Sequence, residues 1–476
     1  MKSVLKWVIT VVTGCIAIGG VAQPKPSTES VYFTNGFKIG DLTPTSVVIW
    51  TRLCDVEQPV AITHERIDRV FRSPKKFDNN TPVEQMDGHV KGSYGEVMIE
   101  LHTIRNQRLS SGWQPVSGLM DFTYKHPFEG LLPATKYTVT ISGRKDIGSP
   151  ISTIQGSFTT APKPNQTVPI TFTSSSCQYF WDYDDEQRGF KIYDAMAKLK
   201  PAFFSQTGDY VYYDKGGPFV NTIDAAYHKW SANNGWSAIR EFLMTTPIYM
   251  QKDDHDTLRD DASPGSRPMK DMTFKDGVEI WRAMTPIKDR PYNNFRWGRD
   301  LEVWVVEGRE YRDDNWIDDN DKKTILGEEQ KRWLKQSIES SDATFKVLLS
   351  NTPVVGPDRP TKRDNHANPP FVHEGDWLRS LLGKHSVYVI NGDRHWQYVS
   401  VDKKSGVMEF SQGPASDSHA GGWGEDEKMA EHKFLLVKGG FLSVTVDRVD
   451  GKPTIWFRHH DVDGNVVNEE IITRKK

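Results

Sequence analysis

The chain has 476 residues, more than one average domain, and can bury a substantial core. A net charge of −3 with a pI of about 6.5 leaves no basic field for nucleic acid. Aromatic residues at 11 %, including 15 Trp, exclude a disordered chain and favour a β-rich, well-packed one.

Residues 1–22 read as a signal peptide. Lys2 and Lys6 give a positive start, and 7–22 is apolar but too short and Gly-rich to span a membrane well. Gly20 and Ala22 suit cleavage before Gln23. The stretch Val12–Cys15 (VTGC) resembles a bacterial lipobox, which would instead leave a lipid anchor on Cys15. Both readings predict export, to a periplasmic, secreted or cell-surface location, and no later segment is long and apolar enough to be transmembrane. Two further cysteines remain, Cys54 and Cys177. They form either one bridge or at least one thiol with a chemical role.

After a Pro/Ser-rich tether at 23–30, residues 31–164 read as an all-β sandwich of fibronectin III or immunoglobulin type. The runs 46–52, 136–142 and 156–161 are rich in β-branched and aromatic residues, and 130–137 (GLLPATKY) looks like a tyrosine corner. From 165 to 476 short apolar runs alternate with amphipathic stretches. The predicted strands are 169–173, 201–205, 247–250, 301–306, 345–349 and 386–390. The predicted helices are 189–200, 223–230, 235–244, 273–284, 327–338 and 377–382, and a hairpin at 441–446 and 454–459 closes the sheet. This alternation specifies a layered α/β domain with mixed sheets flanked by helices.

The residues just past these strands carry the chemistry. Cys177 follows the first, and Asp209 with Tyr212 the second. Asp253, Asp254, His255 and Asp256 follow the third, with Asp260 close behind. Arg309 and Arg312 come next, then Asp393, Arg394 and His395. Carboxylates, imidazoles, a thiol and a phenol at successive carboxyl ends of strands converge where such sheets place ligands. Packing such donors without a cation is costly, so a metal site is the economical account. Asp393 and His395, two apart, share one side of an extended segment. Single-residue alternatives stay open: Cys177 as an inert buried thiol, His395 as a satisfied core histidine, and Asp253, Asp254 and Asp256 as a partly solvated acidic turn. A Gly-x-Ser-x-Gly elbow, a Walker A loop and a His-Glu-x-x-His helix are all missing.

Taken in order, Ser176-Cys177-Gln178, the 208–213 run GDYVYY, the 253–256 run DDHD, the 307–312 run EGREYR and the 391–396 run NGDRHW resemble the alkaline phosphatase D (PhoD-type) family of metallophosphoesterases over nearly the whole mature chain. The resemblance implies a ferric ion, Fe3+, with Ca2+ nearby; Zn2+ or Mn2+ are the alternative ions. It implies Cys177 and Tyr212 as iron ligands, Asp209 as the bridge, and Asp393 and His395 completing the cluster, with neither assigned to one ion. Asp260 stands where relatives carry Asn; as a ligand it would favour a hard divalent cation, and the alternative is that it is no ligand.

The reaction this implies is hydrolysis of phosphoric esters by metal-activated hydroxide. Arg394, Arg309 and Arg312 are the candidate phosphate clamps, because a planar guanidinium suits phosphate; for the latter two a structural ion pair is the alternative. His255 either protonates the leaving alkoxide or orients a ligand. His366 and His419 are candidates for the mouth of the site. Small-molecule or polymeric phosphoesters are the expected substrates. The competing functions are a lipid- or polymer-directed phosphodiesterase of phospholipase D-like type, and a catalytically idle surface binding protein.

Overall fold

The strands Ile170–Ser175, Phe203–Thr207 and Ile248–Gln251 are almost wholly buried runs that pair in parallel, as strands covered on both faces must. They lie in a computed structural model that describes residues 27–67, 71–288 and 290–474. The signal segment, Cys15 and the start of the tether fall outside the described residues.

These three strands form the middle of a nine-stranded sheet. On one side follow Phe441–Val449, Lys452–His460 and Val466–Thr473; on the other follow Phe37–Gly40, Ser46–Arg52 and Thr123–Glu129. A second, seven-stranded sheet is built around the parallel strands Leu301–Val305, Phe345–Ser350 and Val387–Asn391. Phe172, Phe203, Tyr249 and Val444 of the first sheet share one buried cluster with Val303, Val347, Leu349, Ile390 and Phe410 of the second, so the two sheets pack face to face. Alternate residues of the first sheet, Phe204, Ile248 and Met250, point the other way, into a cluster with Trp230, Ile239, Phe242 and Trp281 of the covering helices. Helices Glu328–Ser340 and Val372–Lys384 cover the far face of the second sheet through Leu334, Ile338, Leu378 and Leu382. The order of layers is helix, sheet, sheet, helix.

Helix Phe274–Met284 illustrates how the local sequence sets an element. Thr273 and Asp276 make a reciprocal capping box at its start, and Val278, Trp281 and Met284 line its buried face. Most expected elements lie within a few residues of their observed bounds. Helix Val372–Lys384 is longer than expected, and edge strand Thr123–Glu129 was not foreseen, because its Pro127 and polar residues fit only a sheet edge.

The N-terminal strands serve two sheets. Glu96–His102, Lys136–Arg144 and Ser152–Thr159 lie in a separate five-stranded sheet, whose Ile99, Val139 and Ile141 pack with Ile39, Val47 and Ile49. Strand Phe37–Gly40 pairs in parallel with Ile248–Gln251, at Gly40 opposite Ile248, so the main sheet runs on through the boundary expected near residue 164. Within this region Tyr137 Oη accepts the Leu132 backbone N–H at 2.8 Å, the corner read from 130–137. Cys54 and Cys177 are both buried and unbridged.

Candidate metal centre

Three donors sit on left-handed backbone directly after parallel strands: Cys177 (φ 52°), Asp209 (φ 58°) and Asp393 (φ 64°). Such angles are uncommon for residues with a Cβ and persist only where surrounding contacts impose them. Here the contacts are visible. The Gln178 N–H donates to Asp209 O at 2.7 Å, the Cys177 N–H donates to Gly208 O at 3.2 Å, and the Asp393 N–H donates to Ser176 Oγ at 3.3 Å. Asp256 Oδ2 accepts the N–H groups of Asp209 at 2.6 Å and Asp253 at 2.9 Å, and its Oδ1 accepts that of Val211 at 2.9 Å. One buried carboxylate therefore clamps two strand ends together.

Asp209 is the hub. Its Oδ2 accepts from Tyr212 Oη at 3.1 Å and lies 3.6 Å from Cys177 Sγ. Three donor groups share it: Cys177, Asp209 and His395; Asp209, Asp254 and His255; Asp209, Asp253 and Asp393. Within each, the ligand atoms lie within 4.8 Å of one another. His395 Nε2 is 3.3 Å from His419 Nε2, which also lies 3.1 Å from Tyr212 Oη. His419 Nδ1 is held at 2.7 Å by Asp182 Oδ2, the carboxylate–imidazole pairing that orients metal-ligating histidines.

The donor chemistry fits a cation. Asp209 Oδ1 and Asp253 Oδ2 are buried with no hydrogen-bond partner among the described residues. Burial, reinforced by Asp209, raises the Cys177 thiol and the Tyr212 phenol well above their ordinary pKa values. Burial also raises Asp209 itself, helped by Asp254 and Asp253 and opposed by His255. Burial, then the neighbouring His419, pushes His395 well below 6.5. Without positive charge at its centre the Cys177 thiol, the Tyr212 phenol and the Asp209 carboxyl keep their protons, while His395 is already neutral; a cation favours loss of those protons and finds His395 in its ligating form.

His255 stands beside the cluster, its Nδ1 2.6 Å from Asp214 Oδ1. Burial works against its charged form, but Asp214, Asp254 and Asp209 outweigh burial and lift its pKa to about 10. Arg394 is fully buried; its Nη2 pairs with Asp393 and with Asp358 at 3.3 Å, while its Nε and Nη1 have no partner among the described residues.

The other sequence candidates have partners of their own. Arg309 is fully buried against Asp253 and Asp364, the latter at 3.2 Å, so it is tied into the protein by ion pairs. Arg312 donates to Asn315 Oδ1 at 2.6 Å and to Asp364 O at 3.1 Å. His366 Nε2 lies 3.0 Å from Glu374, whose carboxylate accepts the N–H groups of Ile325 and Leu326. Asp260, with 58 % of its side chain exposed, pairs with Lys362 at 3.1 Å on the rim and groups with Asp254 and Asp261 rather than with Asp209. The acidic turn at 253–256 is not solvated: Asp253, Asp254 and Asp256 are all buried. His419 is at the centre rather than the mouth. Asp182, which orients it, had no signal in the sequence, since the two are 237 residues apart.

Relatives share this architecture. A family model described as PhoD-like phosphatase matches residues 172–438. Alkaline phosphatase D of Bacillus subtilis (strain 168) is 23 % identical over 472 residues, covering 86 % of this chain and 73 % of the relative. A solved structure of PhoD superposes with a TM-score of 0.69 at 18 % identity, covering 93 % of this chain and 89 % of the other. The purple acid phosphatase PPD1 from yellow lupin (Lupinus luteus) seeds superposes with a TM-score of 0.63 at 12 % identity, covering 94 % and 75 %. The family match spans more than half of the chain and takes in every donor of the cluster built above: the chain belongs to the PhoD-like phosphatases and is an enzyme of that family.

Proposed function

We propose that the chain is an exported, metal-dependent phosphoric ester hydrolase that uses iron and calcium, in which residues 31–164 form a β-sandwich and 165–476 the catalytic unit. The observation that carries this reading is Asp209, one carboxylate common to three donor groups, with a buried oxygen that has no hydrogen-bond partner among the described residues. Cys177, Tyr212, His395 and His419 would hold the harder ion, and Asp253 and Asp393 the second, with Asp209 between them. Bound there, the cations would supply acidity to water and positive charge against the phosphoryl oxygens.

The protein's own groups do the rest. Arg394 pairs with Asp393 through Nη2, and its Nε and Nη1 have no partner among the described residues. Asp214 fixes His255 by Nδ1, and Nε2, 3.8 Å from Asp260 Oδ1, carries the other proton. Neutralising the carboxylates around His255 lowers its pKa and readies that proton for a leaving alkoxide. Asp256 ties down the Asp209 turn through the N–H groups of Asp209 and Val211, which would fix the Asp209 carboxylate for the cations it would hold.

The test is hydrolysis of an aryl phosphate monoester and an aryl diester by protein loaded with iron and calcium. Asp209→Asn should lower kcat/KM for both by about 100-fold or more, since even partners that only orient metal ligands cost 10- to 100-fold. Rates equal to wild type in Asp209→Asn would refute the assignment. A phospholipid in the same panel separates the lipid-directed alternative.

A further inference from the structure

One aromatic ring in contact with the cluster comes from none of the strand ends that build it. Phe71 belongs to the long connection between strands Ser46–Arg52 and Glu96–His102, in the N-terminal part of the chain. Its ring centroid lies 4.7 Å from that of His419, edge-on, and 5.3 Å from those of both Tyr212 and His395. Tyr179 and His255 stand at 6.1 and 6.2 Å. These are van der Waals separations for rings, so Phe71 packs directly on the donors. Lys215 Nζ, which also pairs with Asp214, lies 4.8 Å from the ring centroid.

The placement is built rather than incidental. Phe71 has a φ of 56°, unusual for a bulky residue, and is only half-buried. The flanking connection is fastened to the catalytic unit on both sides. Arg66 donates to Tyr183 O at 2.5 Å and to Ser418 Oγ at 3.2 Å, beside His419. The Phe219 N–H donates to Asn79 Oδ1 at 3.1 Å, and Phe77 packs edge-on to Trp181 at 6.1 Å.

We propose that Phe71 is a specificity-determining residue of this centre: it walls off the Tyr212–His395–His419 side and sorts phosphate esters by the bulk of the organic groups on phosphorus. The proposal rests on the metal centre described under the proposed function. A benzene ring offers neither charge nor a strong hydrogen bond to an unesterified phosphoryl oxygen, so those oxygens turn toward the charged groups and the carbon substituent lies along the ring. A monoester has one such substituent and can direct it outward past Phe71. A diester has two, and the second needs the volume the ring fills. The same ring keeps water and chelators from that face of the donors.

The experiment compares wild type with Phe71→Ala and Phe71→Leu in the whole protein loaded with iron and calcium. Two quantities are read: the ratio of kcat/KM for 4-nitrophenyl phosphate to that for bis(4-nitrophenyl) phosphate, and the rate at which EDTA removes metal, followed by metal analysis. Phe71→Ala should lower the monoester-to-diester ratio about tenfold, in the range that a reshaped apolar pocket commands, and speed metal loss several-fold. Phe71→Leu, which keeps the apolar fill and tests against simple misfolding, should fall between. An unchanged ratio in both variants overturns the specificity role, whatever the metal-loss rate does. Wild-type protein that retains no metal after loading overturns the centre itself, and the role of Phe71 with it.

Discussion

Lys38 shows at the scale of a residue how far burial can move a charge in this fold. It is 1 % exposed, donates to Met284 O at 3.0 Å, and lies 4.5 Å over the Trp50 ring. Burial lowers its pKa from 10.5 to about 7, and burial does the same to Lys229. The unfolded chain keeps these protons up to the ordinary lysine pKa. Between about pH 7 and 10.5 unfolding therefore takes up protons, so stability rises with pH across that window and falls as the pH drops through the folded value. Replacing Lys38 with Met should remove part of that rise, on the order of a few kcal/mol, read as the difference between urea unfolding at pH 7 and pH 10. An identical rise in wild type and Lys38→Met would contradict the buried-amine account. Residue identities of this kind were only partly legible in the sequence. Cys177, Asp209, Tyr212, Asp393 and His395 could be singled out because each follows a strand end. For Arg309 and Arg312 the sequence left phosphate clamp and ion pair both open, because their shared partner Asp364, which gives Arg309 its carboxylate and Arg312 its main-chain carbonyl, comes more than fifty residues later on another loop. The same distance hid the burial of Asp253, whose partner is Arg309.

At the scale of an element, the turns that follow the parallel strands set the geometry of the centre. Gly208 precedes Asp209 with a φ of 110°, and a Cβ there would stand 2.6 Å from Asp253 Cβ. The close approach is what lets Asp209 and Asp253 serve one cluster. Gly208→Ala combines backbone strain with overpacking, and should cost roughly 2–4 kcal/mol of stability along with metal affinity. Calorimetry with and without loaded metal checks both; a variant as stable as wild type and equally metal-loaded would show that the approach is not required. Strand and helix positions were legible because apolar runs of five or six residues alternate with longer amphipathic stretches. The left-handed turns were not, since at Cys177, Asp209 and Asp393 they depend on contacts made across the sheet.

At the scale of the whole molecule, the two compositional halves are joined in one sheet. The sequence pattern changes near residue 164, but Phe37–Gly40 covers the edge of Ile248–Gln251, and Trp50 joins the cluster that holds Tyr210, Trp230 and Trp281. Sequence pattern reveals where strands fall and not which strand they pair with, so this continuity was out of reach. A chain of residues 165–476 alone would expose that edge and the apolar face beneath it. It should be insoluble or unfold without cooperativity, as judged by gel filtration and thermal melting. A soluble, cooperative and active fragment would show that the halves are independent. The connection carrying Phe71 gives the N-terminal half a second tie to the rest, this time at the centre itself.

The proposed function stands or falls on whether Cys177, Asp209, Tyr212, Asp393, His395 and their neighbours hold metal. The most direct measurement is metal analysis of the purified mature protein together with its visible spectrum, for wild type and Tyr212→Phe. Wild type should contain bound iron and calcium and show a tyrosinate–iron charge-transfer colour that disappears in Tyr212→Phe. Colourless wild-type protein that takes up neither ion, or a colour that survives Tyr212→Phe unchanged, would contradict it.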